Sequence, residues 1–77
     1  MNKISLAQMS AGQSGAIINI HGGHGIRRKL DAMGMRRGVK ITKVSAQIMQ
    51  GPVIVRVGSA QIALGFGMAR NILIAVD

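Results

Sequence analysis

Cysteine, glutamate, tryptophan and tyrosine are all absent from this 77-residue chain; proline occurs once, at Pro52, and the one aromatic is Phe66. Without cysteine there are no disulfides and no thiolate metal sites. Without glutamate, Asp31 and Asp77 are the only side-chain carboxylates, and Asp77 is the last residue, so paired-carboxylate catalysis lacks its groups. A single aromatic leaves no row of rings on which single-stranded nucleic acid would stack. No apolar run reaches the roughly 18 residues of a membrane-spanning helix. Ser5 and Gln8 break the apolar run that a signal peptide needs. The location expected from this is the cytoplasm, with the inner face of the membrane as its alternative.

What is present is a small apolar domain with a large positive charge. Ten Lys and Arg against two Asp give +8, yet 48% of residues are apolar, which excludes a disordered basic tail. Residues 1–77 are expected to form one domain. At this size only about 60% of the unfolded surface is buried, which leaves few residues to wall an enzyme cleft. No enzymatic activity and no small-molecule substrate are expected. Self-association into a homo-oligomer would bury an exposed aliphatic strand.

Glycine punctuates the chain. Ser5–Met9 reads as one helical turn capped by Ser5, and Gly12 and Gly15 as a turn. Ala16–Ile20 is a β-branched strand, and His21–Gly25 a loop. Ile26, Leu30 and Met33 fall at i, i+4 and i+7, one apolar stripe of a helix, with Gly34 as its C-terminal cap. Met35–Gly38 is a turn. Val39 and Ile41 open the next strand, and Val44 is out of phase with them, which predicts a bulge near Lys43. Gln50-Gly51-Pro52 is turn chemistry. Val53–Val57 alternates most clearly. Gly58-Ser59 is a tight turn, Ile62 and Leu64 continue the pattern, Gly65–Arg70 is a single turn, and Ile72, Ile74 and Val76 form the last strand. The reading is mainly β: a small closed or nearly closed barrel of five strands, one short helix following the first strand.

Three blocks carry a family resemblance. Leu30-Asp31-Ala32-Met33-Gly34-Met35-Arg36-Arg37-Gly38 resembles the "RL-x-x-LG-[LM]-x-P-G" signature of FeoA domains. Gly51-Pro52-Val53-Ile54-Val55 is similar to the family's "G-P-[ILV]" strand start. Ala60-Gln61-Ile62-Ala63-Leu64-Gly65, with Met68-Ala69 and Ile72-Leu73-Ile74, resembles its ending. The resemblance runs from Ile4 to Val76. It implies an SH3-like β-barrel that accompanies bacterial ferrous iron uptake. The implied partner is the membrane transporter FeoB, through its cytosolic GTP-binding portion. A similar domain forms the C-terminal part of some metal-dependent repressors. Two positions depart from the pattern: Arg37 stands where the family usually has proline, and Lys29 where it has arginine.

Seven of the ten basic residues lie between Arg27 and Lys43. Arg27, Arg28 and Lys29 near the start of a helix oppose its dipole, at about 0.3–1 kcal/mol each. Their accumulation reads as a docking face for an acidic partner, with an anionic lipid surface, nucleic acid or plain solubility charge as alternatives. The expected contact residues are Arg27, Arg28, Lys29, Met35, Arg36, Arg37, Gln50 and Pro52, with Met35 and Met49 exposed in turns and Met33 and Met68 filling the core. His21 and His24 could chelate a divalent ion such as Fe²⁺ only weakly, since a site needs three or four ligands and the neighbouring charges repel a cation; no cofactor is expected. Gly22, Gly23, Gly25 and Arg27 lack the Gly-Lys-Ser/Thr element of a P-loop, so an anion nest there is secondary to their role as a tight turn.

Overall fold

The computed structural model describes residues 2–45 and 51–77. Six strands form one antiparallel sheet: β1 (Asn2–Ser5), β2 (Ser14–Ile20), β3 (Lys40–Ser45), β4 (Val53–Val57), β5 (Ala60–Leu64) and β6 (Ile72–Val76). A 3-10 turn spans Leu6–Gln8, helix α1 spans His24–Ala32 and the short helix α2 spans Phe66–Ala69. The strand order is β1-β6-β2-β3-β4-β5. β6 lies between β1 and β2. Its sequence, Ile72-Leu73-Ile74-Ala75-Val76, carries no polar side chain, as suits a strand flanked on both sides.

The expected five strands are therefore six. β1 escaped sequence reading because Ile4 is its only apolar residue and no alternation marks it. It pairs with β6, Asn2 opposite Val76 through Ser5 opposite Leu73, and Ile4 packs partly buried against the core. α1 accordingly follows the second strand, not the first. The Ser5 turn is as expected: Gln8 N–H donates to Ser5 Oγ at 3.3 Å and Ser5 N–H donates to Gln8 Oε1 at 2.9 Å, a reciprocal capping box.

The expected bulge is present. Lys43 pairs with Val55 and Ser45 with Ile54, leaving Val44 unopposed. A second bulge, at Ile18 between Ile17 opposite Ile74 and Asn19 opposite Leu73, lets Ile17 and Ile20 both face inward although they are three apart. The core gathers Leu6, Ile17, Leu30, Ile41, Val53, Val55, Ile72 and Ile74, each at most 1% exposed. Ile26, Met33 and Met68 pack partly buried against it.

Gly15, expected in a turn, lies inside β2. A Cβ there would come within 2.5 Å of the Ala75 carbonyl oxygen and 2.6 Å of Ile74 Cγ2, so β2 and β6 approach closely because this residue has no side chain. Gly15→Ala is expected to destabilise the fold by about 1–3 kcal/mol through overpacking. A urea melt checks this, and an unchanged midpoint would mean that β6 yields freely.

Candidate functional site

The basic residues of α1 and those of the following turn meet in one place because α1 stops abruptly. Met35 N–H donates to Leu30 O at 2.9 Å and Gly34 N–H to Asp31 O at 3.0 Å, with Gly34 at φ +84°. This paired cap characteristically brings the residue after the glycine back against the helix's last apolar turn. Met35 and Leu30 are both 0% exposed in the same core cluster. Met35 is thus a core residue, and its expected exposure in a turn is corrected. The cap's apolar contact buries the side chain that a turn would otherwise expose.

The chain then turns again. Val39 N–H donates to Arg36 O at 3.1 Å across Arg37 and Gly38, and Gly38 is at φ +89°. A positive φ at the third position is the type II pattern, whose second position favours proline. Arg37 occupies that second position. Gly38 N–H donates to Ile17 O at 2.7 Å and Ile17 N–H to Val39 O at 2.9 Å, which pins the turn to β2. Arg37→Pro is expected to raise stability by about 0.4–1 kcal/mol by restricting the unfolded chain. Thermal unfolding reads this out, and a lower midpoint would show that Arg37 does not hold a proline-compatible backbone.

Between α1, the end of β2 and this turn runs a groove of about 500 Å³. It is lined by His24, Arg27, Arg28 and Asp31 of α1, by Asn19 and Ile20 of β2, and by Met35, Arg36 and Arg37 of the turn. All four arginines are exposed. One carboxylate, Asp31, sits among them, its Oδ1 2.9 Å from Arg36 Nε. No acidic residue lies in the first turn of α1, and its N-cap, Gly23, supplies no side-chain hydrogen bond. The helix end adds its own partial positive charge to that of the guanidinium groups. Guanidinium forks present paired donors to carboxylate or phosphate oxygens, so the groove has the chemistry to accept an anion.

The other anticipated residues fall elsewhere. Lys29 is exposed but does not line the groove. Pro52 is exposed just ahead of β4, apart from the groove. Gln50 and Met49 lie outside the described residues. His24, expected in a loop, is the first residue of α1 and lines the groove, whereas His21 does not. Among the described residues no three His, Cys, Asp or Glu side chains gather in a way that would hold a metal ion. None of the described helices is long and apolar enough to cross a membrane.

Lys43 is the clearest correction. Counted with the basic face, it is 1% exposed. Its ammonium donates to the carbonyls of Met9 at 2.6 Å, Ala7 at 3.2 Å and Leu6 at 3.3 Å. Burial lowers its pKa from 10.5, while the three carbonyl acceptors favour the ammonium and work against that shift. Its backbone is held as well: Lys43 N–H donates to Gln13 O and Gly12 N–H to Lys43 O. The signal was in the sequence. Lys43 shares the parity of Val39 and Ile41, the inward face of β3, and the bulge falls one residue after it.

The FeoA domain model matches residues 4–76. A crystal structure of the iron uptake regulatory protein FeoA is 32% identical, with a TM-score of 0.89 and 100% of each chain covered. The solution structure of a FeoA-like protein from Clostridium acetobutylicum is 26% identical, with a TM-score of 0.84, covering 99% of this chain and 88% of that one. A manganese-dependent transcriptional repressor shares the fold alone, at 19% identity and a TM-score of 0.87, over 95% of this chain and 41% of its own. The comparison with curated proteins returns no match. The expected SH3-like architecture holds, and the family is one of accessory domains and no known enzyme family. With a signature that spans nearly its whole length and a fold superposable on FeoA itself, the chain belongs to the FeoA domain family, whose membership implies a part in ferrous iron transport.

Proposed function

We propose that this protein is a non-catalytic accessory module that docks, through the arginine groove, on the cytosolic GTP-binding portion of a FeoB-like transporter and regulates or organises it. The observation that carries the reading is the convergence of Arg27, Arg28, Arg36 and Arg37 on one groove. Four guanidinium groups steer an acidic partner and fix its register. The protein acts in the cytoplasm, at the inner face of the membrane where its partner resides. Fe²⁺ is the cargo of this system, and no resident metal enters the reading.

A small nucleic-acid-binding barrel is the rival, because the same groove would accept phosphates. Phe66 argues against it: it lines a separate cleft with Ser5, Gln8 and Arg70, so the chain's one Phe, Tyr or Trp ring is not in the groove for a base to stack on. Capture of the wild-type chain by the immobilised cytosolic portion of the transporter, set beside a salt-titrated binding assay on single-stranded DNA and RNA, separates the two. Capture by the transporter, lost in Arg27→Glu/Arg28→Glu, is the expected result. Tight nucleic-acid binding with a steep salt slope at physiological ionic strength, and no capture, would replace this reading with the rival.

A further inference from the structure

The sequence has two acidic residues, and each is paired: Asp31 Oδ1 with Arg36 Nε at 2.9 Å, and Asp77 Oδ2 with Lys40 Nζ at 2.8 Å. The first pair lies in the groove and the second outside it. Asp31 is placed there by helical spacing: it follows Arg27 and Arg28 by one turn, on the same face of α1, and the turn after Gly34 brings Arg36 against it. The groove therefore already holds one carboxylate, and it is supplied by the chain itself. The pair is open to solvent, with 65% of the Arg36 side chain and 62% of that of Asp31 exposed. Exposed pairs of this kind are weak and exchange readily for another partner.

We infer that Asp31 is a built-in competitor: its carboxylate occupies Arg36 until a carboxylate-bearing segment of the docking partner, lying along Arg27, Arg28 and Arg37, takes its place. This rests on the docking reading above and adds to it the chemistry of the partner's contact, an acidic peptide segment. The choice of carboxylate over phosphate follows from the group that the groove already binds. The competitor lowers affinity for weakly acidic segments and leaves a segment with several carboxylates able to displace it, so it sharpens specificity by opposition as well as by attraction.

Asp31→Asn removes the competing charge and keeps the side chain's shape. It sits toward the C-terminal end of α1, where loss of a negative charge favours the helix, and the carbonyl that accepts from Gly34 N–H is unchanged. Asp77→Asn changes net charge equally but lies away from the groove. The probe is a fluorescein-labelled hexaglutamate peptide, titrated by anisotropy against wild type, both variants, Arg36→Gln and the double variant Asp31→Asn/Arg36→Gln, with pyrophosphate as a second probe. The expected result is tighter hexaglutamate binding in Asp31→Asn, up to about fivefold, the equivalent of one exposed ion pair. Asp77→Asn should match wild type, and Arg36→Gln should bind more weakly and no longer respond to the Asp31 change. Equal gains in both aspartate variants, an unchanged or weakened Asp31→Asn, or binding of pyrophosphate in preference to the peptide would overturn the inference. Should the transporter's cytosolic portion be captured while Asp31→Asn has no effect on hexaglutamate, the inference fails and docking stands. Should hexaglutamate respond as expected while the transporter is not captured, docking on that partner fails instead.

Discussion

Lys43→Ala is expected to lose about 3–5 kcal/mol of folding stability, more than any other single substitution considered. Truncating a fully buried long side chain leaves a cavity, at about 2–5 kcal/mol for comparable apolar truncations. It also strips the Met9, Ala7 and Leu6 carbonyls of a charged donor, each such hydrogen bond contributing about 1.5–3 kcal/mol before desolvation is counted. Relief of the buried ammonium's desolvation, several kcal/mol in effect, offsets part of this and keeps the total inside the stated range. A domain of this length has about 4–12 kcal/mol in all, at roughly 0.05–0.15 kcal/mol per residue. A loss of 3 kcal/mol alone lowers Tm by about 12–24 °C. Lys43→Met, which retains volume and sheds the charge, should lose about 1–3 kcal/mol. If Lys43→Met melts at or above the wild-type temperature, the ammonium is a net cost to the fold and the strap from β3 to the 3-10 turn is dispensable.

The same residue sets a pH dependence whose sign is unusual for a lysine with partners. Its folded pKa is lowered below 10.5. As pH rises toward 10.5 the folded chain releases this proton first, so the unfolded chain binds more protons and stability increases over that window. The neutral amine still carries two donors for the three carbonyls. The difference between wild type and Lys43→Met in a series of alkaline melts isolates this contribution from the general loss of positive charge. A difference that falls with pH would mean that the carbonyls outweigh burial.

Reversing the groove's charge is expected to have the largest effect on binding. Arg27→Glu and Arg28→Glu each turn an attraction of about 0.2–1 kcal/mol into a repulsion of similar size. Together they weaken docking by about 1–4 kcal/mol, or roughly 5-fold to 10³-fold. Their effect on the fold is small by comparison. Arg27 and Arg28 are the fourth and fifth residues of α1, where the helix dipole is already weak, and glutamates there exchange an attraction to Asp31, one turn on, for a repulsion of about 0.2–0.5 kcal/mol each. The double variant should therefore bind worse and lose no more than about 2 kcal/mol of stability, so that a thermal melt separates a lost contact surface from a damaged barrel. The loss should shrink as salt is added, since exposed charges are screened over about 8 Å at physiological ionic strength.

The barrel was largely legible because its strands alternate in β-branched residues between glycine turns, and because Leu30, Gly34 and the Val44 phase slip each declare a local geometry. β1 was not, because Asn2–Ser5 acquires strand structure only by pairing with β6. Met35 and Lys43 were misplaced for related reasons. The burial of Met35 is dictated by the helix cap that precedes it, and that of Lys43 by strand parity that overrides its charge, on the condition that three carbonyls stand within reach. In the sequence Asp31 stood only as one of two carboxylates, and its pairing with Arg36 needed the Gly34 cap to be seen folded. The groove was half legible. Its arginines were identified as contact residues from their density alone. That Arg27 and Arg28 share one groove with Arg36 and Arg37, while Lys29 does not line it, follows from where α1 ends and how Gly38 is tied to Ile17.

The most direct test of docking through the groove compares two variants of equal net charge in calorimetric titration against the transporter's purified cytosolic portion. One is Arg27→Glu/Arg28→Glu. The other is Lys3→Glu/Arg70→Glu, whose positions are exposed and outside the groove. The expected result is at least about fivefold weaker binding for the first variant and affinity within about twofold of wild type for the second, fivefold being about 1 kcal/mol. Equal affinities in the two variants, or wild-type affinity in the first, would contradict it.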